Sequence, residues 1–529
     1  MRRFTAVVAL ASALVLGGAG VAHAATPPPP EFGTHWDDPR TAAPPIVKPP
    51  THSCTEQIVD HGFADFNTFV SAHTPPADCA GPWTKVVLHL DGAVKGRQFD
   101  RLGWLTIGGA MVLKTSTPEP SPDGVQWSVE KDLTSYSALL RTPQTVNMFL
   151  GNVVNDTFTG VLFIKVSLTF YAADRRNAAP DTASDVLPLA APTQSGADLT
   201  GTVTVPRNTE RLLAEVYATG SGGACEEFWY FTAPTSSGYS CPADPGPYRE
   251  VQVLLDGRVA GIAEPFPHVY TGGWSNPFLW YVLPAPRAFN VQPITYDLSP
   301  YLGLLTDGVA HQVSVHVVGV PPGQTGNLIG WDTPVNFLAW RDPHASQVTG
   351  GLLADRLGDL TDTSTVAVNG TTHTVTTHGA HELTAVGFLR TSHGIVTSLV
   401  HQQVRNDGTH TWGDGENPDG VTSTWTDDSL SLVVGFSRFA GLRRSAKRFA
   451  IDGTITVDAA NRLTTVITMT DAAAGSFEDT YTGQASYTLG VPREQRHAMG
   501  TSRERYRADD FDHTISTVNG FVVDDRLTH

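Results

Sequence analysis

Apolar and polar residues alternate along this chain in short runs, or apolar residues follow one another over five to seven positions. Val86-Val87-Leu88-His89-Leu90, Leu162-Phe163-Ile164-Lys165-Val166-Ser167-Leu168, Val251-Gln252-Val253-Leu254-Leu255 and Val313-Ser314-Val315-His316-Val317 are rich in β-branched residues. Turn formers stand near them, namely Asp91-Gly92, Asn155-Asp156, Asp256-Gly257 and Asp307-Gly308. A period of two with such punctuation predicts strands, and helical spacing is scarce. The pattern continues beyond about residue 350. Thr365 to Val368 and Thr371 to Thr376 flank Asn369-Gly370, a pair that favours a type I′ hairpin. Leu430 to Gly435, Ile451 to Val457 and Leu463 to Met469 read as further strands. The expectation is an all-β protein built of jelly-roll sandwiches rather than an α/β one.

Breaks in the pattern divide the chain. Residues 25–50 hold the run Pro27 to Pro30 and then Pro44, Pro45, Pro49 and Pro50, which excludes a helix or central strand and predicts an extended arm. A second break lies at 177–198 and a third near 342–351. The expected organisation is a signal peptide at 1–24, the arm at 25–50, one jelly roll at 51–190, a second beside it at 191–345, and a further β-rich C-terminal domain at 346–529. The 50 glycines and 37 prolines agree with many turns.

Arg2 and Arg3, the apolar run Phe4 to Leu16, and Ala22-His23-Ala24 have the form of a cleavable secretory signal, so a secreted, extracellular protein is expected. No later run approaches the about 20 apolar residues of a membrane helix. A formal charge of −17 disfavours nucleic acid and anionic membranes as partners; a monomer is expected. The four cysteines fall into two local pairs, Cys54 with Cys79 and Cys225 with Cys241, the simplest of three connectivities in an oxidising compartment. The common zinc signatures are absent and no cofactor or metal is expected.

Three stretches carry polar residues that a plain sandwich does not need. In Gly96-Arg97-Gln98-Phe99-Asp100-Arg101-Leu102-Gly103-Trp104, Asp100 stands at the start of a strand, as a salt-bridge partner or a catalytic group, and alternation turns Arg101 away from it. In Cys225-Glu226-Glu227-Phe228-Trp229-Tyr230-Phe231, two acids precede an aromatic strand. Alternation sends Glu226 and Glu227 to opposite faces. Four consecutive aromatics exceed what one face can bury, which leaves Trp229 or a neighbour to line a sugar cleft. The third stretch, Glu264 to Trp280, reads as a long loop bearing His268, Tyr270 and Trp274, either functional or packed over the sandwich end.

At these stretches the chain resembles the PNGase A family. The shared runs are Gly96-Arg97-Gln98-Phe99-Asp100-Arg101, Thr115-Ser116-Thr117-Pro118-Glu119-Pro120, Glu227-Phe228-Trp229-Tyr230, Gly246-Pro247-Tyr248-Arg249-Glu250-Val251-Gln252-Val253, Pro265-Phe266-Pro267 and Tyr270-Thr271-Gly272-Gly273. The likeness covers about residues 52–342. A more distant similarity to the PNGase F enzymes implies two jelly rolls with the site between them. By that similarity Asp100 and Glu227 are the catalytic acids, while the third acid has no counterpart and Asn152 is the nearest residue. Arg101, Asn152, Glu226, Trp229, His268, Tyr270 and Trp274 are the expected supporting and substrate-binding residues. The implied activity is hydrolysis of the asparagine–N-acetylglucosamine amide bond of N-glycosylated peptides and proteins. Two other classes remain open on the residues themselves, a glycoside hydrolase acting on N-glycans and a non-catalytic carbohydrate-binding protein.

Overall fold

The computed structural model describes residues 35–221, 225–271, 280–321, 330–491 and 495–528. The signal segment and the first part of the Pro-rich arm lie outside the described residues. Strands dominate the described chain, and its helical turns are short.

The first sandwich contains β1 (Ser53–Phe63), β2 (Phe69–His73), β3 (Trp83–Val94), β4 (Leu102–Ile107), β5 (Ala110–Ser116), β6 (Val125–Asp132), β7 (Gln144–Leu150) and β8 (Leu162–Ala172). They make two antiparallel sheets ordered β1-β8-β3-β6 and β2-β7-β4-β5, the strand order of a jelly roll. The period of two is visible in β8. Leu162, Ile164, Val166, Leu168 and Phe170 enter the core, while Phe163 and Lys165 face outward. Asp91-Gly92 is not a turn but lies inside β3. Gly92 stands under the Trp127 indole, where a Cβ would come within 2.2 Å of the ring, so its reason is packing.

The second sandwich pairs a five-stranded sheet (Ala190–Ser195, Asp198–Val203, His311–Val318, Glu250–Leu255, Arg258–Ala263) with a four-stranded one (Ile294–Asp297, Thr209–Val216, Val335–Arg341, Asp185–Pro188). Asp256-Gly257 forms a hairpin tip there, both residues with positive φ.

The last third is one long antiparallel sheet of eleven strands between Thr349 and Thr528. Its strands reach 20 residues (Thr372–Thr391) and 19 residues (Gly394–Trp412). One face packs on the second sandwich, with Leu383 and Val404 against Ile262. The expected hairpin forms one residue later than the Asn-Gly signal placed it. Asn369 pairs with Thr372, so Gly370-Thr371 makes the tip, with φ +62° at Gly370.

The arm ties the parts together. Gln126 N donates to Asp38 Oδ1 (2.7 Å), Arg40 N to Val282 O (2.8 Å), and Ala42 N to Glu504 Oε2 (2.8 Å). Cys54–Cys79 and Cys225–Cys241 are both disulfide-bonded.

Candidate active site

β4 and β5 form a hairpin, and its open end carries two acids. Leu102 pairs with Ser116. Beyond that pair Arg101 N donates to Thr117 Oγ1 (2.9 Å) and Thr117 N donates to Arg101 O (3.0 Å). Asp100 and Glu119 thus leave the hairpin from adjacent chain ends. β5 is also the seam with the second sandwich. Met111 N donates to Asn336 Oδ1 (3.0 Å), Asn336 Nδ2 to Met111 O (2.7 Å), and Ser116 Oγ to Ala288 O (2.7 Å). The buried Lys114 ammonium donates to Asp332 Oδ2 at 2.7 Å.

Across the seam stands Glu227, on consecutive 3₁₀ turns over Cys225–Phe231 rather than the expected aromatic strand. The reason is the apolar content. Phe228, Trp229, Tyr230 and Phe231 are all at most 4% exposed, and a coil distributes around its axis what a strand would crowd onto two faces. Trp229 packs against Trp331 (6.2 Å between ring centroids) and Trp425 (5.3 Å). None of the four aromatics is left to line an open sugar cleft.

Glu226 is likewise structural. It is fully buried, and its carboxylate receives Arg249 Nη2 at 2.6 Å, Arg249 Nε at 2.9 Å and Trp331 Nε1 at 2.7 Å. Arg249, equally buried, donates its remaining Nη1 to the carbonyls of Gly246 and Tyr248. The short strand Thr219–Ser221 passes so close that a Cβ on Gly220 would lie 1.9 Å from Glu226 O. This anchoring fixes the turn from which Glu227 projects.

Burial, then the negative charges of Glu119 and Glu227, push the Asp100 carboxyl well above the usual carboxylate range, against the opposing pull of Arg101. Asp100 therefore keeps its proton where an isolated aspartate would lose it. Arg101 reaches the cluster despite the alternation that turned it away, because β4 begins only at Leu102. Its Nη2 donates to Gln98 Oε1 (2.6 Å) and its Nε to Asn152 Oδ1 (3.2 Å). Asn152 is fully buried, and its amide nitrogen donates to Phe63 O and Gly160 O. It holds Arg101 and supplies no acid. The third carboxylate of the cluster is Glu119. The shared run around Pro118-Glu119-Pro120 was the available signal for it, but no periodicity singled it out.

Tyr270 is 2% exposed, and after burial the charge that most raises its phenol is Glu227, followed by Tyr230 and Asp100. His268 stacks flat on Tyr270, with centroids 5.4 Å apart and 3° between planes. Burial, reinforced by Arg287 and Lys114, pushes His268 down to about 3, so its imidazole is neutral. Tyr230 Oη donates to His268 O at 3.0 Å. Trp274 lies outside the described residues.

Two sandwiches that meet over three carboxylates and a guanidinium define a jelly-roll protein with a buried cluster of acids at its seam. The family model described as peptide N-acetyl-beta-D-glucosaminyl asparaginase amidase A matches residues 43–355, and the chain belongs to that family. A relative from Prunus dulcis, peptide-N4-(N-acetyl-beta-glucosaminyl)asparagine amidase A, is 30% identical over 389 residues. The match covers 67% of this chain and 66% of the relative, just under two thirds of its length. Among solved structures, a peptide-N(4)-(N-acetyl-beta-D-glucosaminyl) asparagine amidase aligns over 56% of this chain and 98% of its own, with 14% identity and a TM-score of 0.37. A recombinant PNGase F aligns over 55% and 96%, with 13% identity and a TM-score of 0.36.

Proposed function

We propose that this chain is a secreted amidase that hydrolyses the amide bond between an asparagine side chain and the first N-acetylglucosamine of an N-glycan. The observation that carries the reading is the grouping of Asp100 with Glu119 and Glu227, near enough that both glutamates raise the buried Asp100 carboxyl, within the segment that matches the amidase family. Amide hydrolysis needs an activated water, stabilisation of the oxyanion and a proton for the departing nitrogen. Glu227 takes a proton from the attacking water as its oxygen bonds the side-chain carbonyl carbon. As the tetrahedral intermediate collapses, the C–N bond breaks and the Asp100 proton passes to nitrogen. The products are an aspartate-containing peptide and a glycosylamine. Glu119 holds the proton on Asp100 before the reaction, and Arg101, steadied by Gln98 and Asn152, offsets the negative charge of the cluster.

The test is mass spectrometry of a digested glycopeptide in heavy-oxygen water. The amidase reading requires aspartate carrying one heavy oxygen in the peptide and an intact chitobiose core on the glycan. A sugar left on asparagine would instead identify a glycoside hydrolase, and an unchanged glycopeptide a binding protein.

A further inference from the structure

A second group of buried polar residues lies behind the carboxylates. Glu264 follows the strand Arg258–Ala263 and is 1% exposed, and neither of its carboxyl oxygens meets a hydrogen-bond donor. His268 is 6% exposed, and its Nε2 also has no partner. Both line one cavity of about 10 Å³, close to the room that a single water needs. The cavity lies between the second sandwich and the long sheet, which contributes Asp427, Lys447 and Phe449.

Val251 pairs with Ala263, the last residue of its strand, so Glu250 and Glu264 lie just beyond the last pair of the hairpin. Two glutamates brought this near repel when both are charged, and Glu250 raises the Glu264 carboxyl. Glu250 is the better-served carboxylate. It accepts Tyr248 Oη (2.7 Å) and Gln252 Nε2 (2.7 Å), and lies 2.9 Å from His381 Nδ1. Glu264 has no such donors, and Asp362 and Asp427 add further negative charge around it. Burial, then Glu250, Asp427 and Asp362, push the Glu264 carboxyl well above the usual carboxylate range. Burial, then Arg287, which also lines the cavity, and Lys114 disfavour a positive His268. A neutral acid, which can donate, therefore faces a neutral imidazole, which can accept.

We infer that Glu264 and His268 are positioning residues of the acid cluster: the Glu264 carboxylic acid donates, through one water in the shared cavity, to His268 Nε2, and so fixes the ring on which Tyr270 stacks beside Asp100 and Glu227. Neither residue touches the reacting atoms. The inference rests on the amidase reading only for its kinetic consequence, and the tautomer it requires can be observed without turnover.

The experiment uses the full chain with ¹⁵N-labelled histidine, together with Glu264→Gln and Glu264→Leu. In the wild-type protein the His268 resonances should report a neutral ring protonated on Nδ1, with Nε2 accepting a hydrogen bond, throughout the pH range of the folded protein. Glu264→Gln retains a donor and should preserve both this signature and, within about threefold, the turnover of a glycopeptide. Glu264→Leu should abolish the accepting shift of Nε2 and lower kcat by about 10-fold or more, with KM little changed, because the pair lies behind the site. A His268 ring that is protonated on Nε2, or resonances that Glu264→Leu leaves unmoved, would overturn the inference whether or not the protein cleaves glycopeptides. If cleavage is observed, a folded Glu264→Leu protein with wild-type kcat would overturn it equally.

Discussion

Replacing Glu226 by glutamine should be among the most damaging single-atom-scale changes in the second sandwich, although the residue does not reach the substrate side. The substitution keeps the shape of the side chain and removes its charge. Arg249 then remains fully buried with two donors, Nε and Nη2, aimed at a neutral amide. Breaking one side of a buried pair of this kind costs about 3–5 kcal/mol, since the surviving charge is left without compensation. Removing both charges costs less, so the double variant Glu226→Leu/Arg249→Met should recover more than half of the loss. Urea unfolding followed by tryptophan fluorescence suits the site, because Trp331 donates to Glu226 and packs against Trp229. The midpoint should fall markedly for Glu226→Gln. Turnover in the fraction that stays folded should fall as well, because the turn presenting Glu227 loses its anchor. A Glu226→Gln protein with the wild-type midpoint and wild-type turnover would refute this account of the turn.

Other outcomes follow from the same geometry. Asp100→Asn should leave the protein folded and reduce single-turnover cleavage by about 10²–10⁴-fold, the usual worth of a positioned acid or base; near wild-type turnover would remove Asp100 from the reaction. Glu119→Gln should lower the pH at which Asp100 gives up its proton, so the alkaline limb of the pH–rate profile should move to lower pH while Glu227 is unaltered. Glu504, pushed up to about 7 by burial, has a folded pKa above its unfolded value. Its contribution to stability is therefore complete below about pH 4.5 and is lost as pH rises through about 7, and melting of Glu504→Gln should show a flatter dependence across that window. Gly220→Ala should destabilise the protein, as its Cβ would meet Glu226 O at 1.9 Å, and a melting curve matching wild type would contradict the close approach.

Strands such as β8 were legible from alternation because one face is buried and the other wet, whereas Glu250–Leu255, buried on both faces, was legible only as a short apolar run. The two disulfides were legible from sequence spacing. Asp100 drew notice because it is charged at the entry to an apolar strand, and Glu227 as one of two acids ahead of an aromatic run, the resemblance to the PNGase F enzymes placing the role on it. Glu119 was missed, since it sits between prolines in a segment without periodicity, and only the pairing of Arg101 with Thr117 brings it beside Asp100. The helical turns over Cys225–Phe231 were misread for a different reason. A short wholly apolar run has no period to measure, and the partners that decide its form, Trp331, His410 and Trp425, lie more than a hundred residues away. The role of Glu226 was hidden in the same way, because its charge is answered by an arginine on another element.

The strand order also bears on how the chain can assemble. In the long sheet nearly every strand pairs with its neighbour in sequence, so hairpins can be added one after another as residues become available. The first sandwich offers that route to β4 and β5 alone among its strands. Ser53–Phe63 finds its partner only in Leu162–Ala172, with Ser53 opposite Tyr171 and Phe63 opposite Leu162. Closing that span carries an entropic cost before any contact repays it, and such non-local pairing is slow. A ribosome must deliver about the first third of the chain before the opening strand has anywhere to dock. The sandwich that holds Asp100 thus leaves its first strand waiting with an unpaired edge until Leu162–Ala172 has been made, and that exposed interval ends before the synthesis of Glu227.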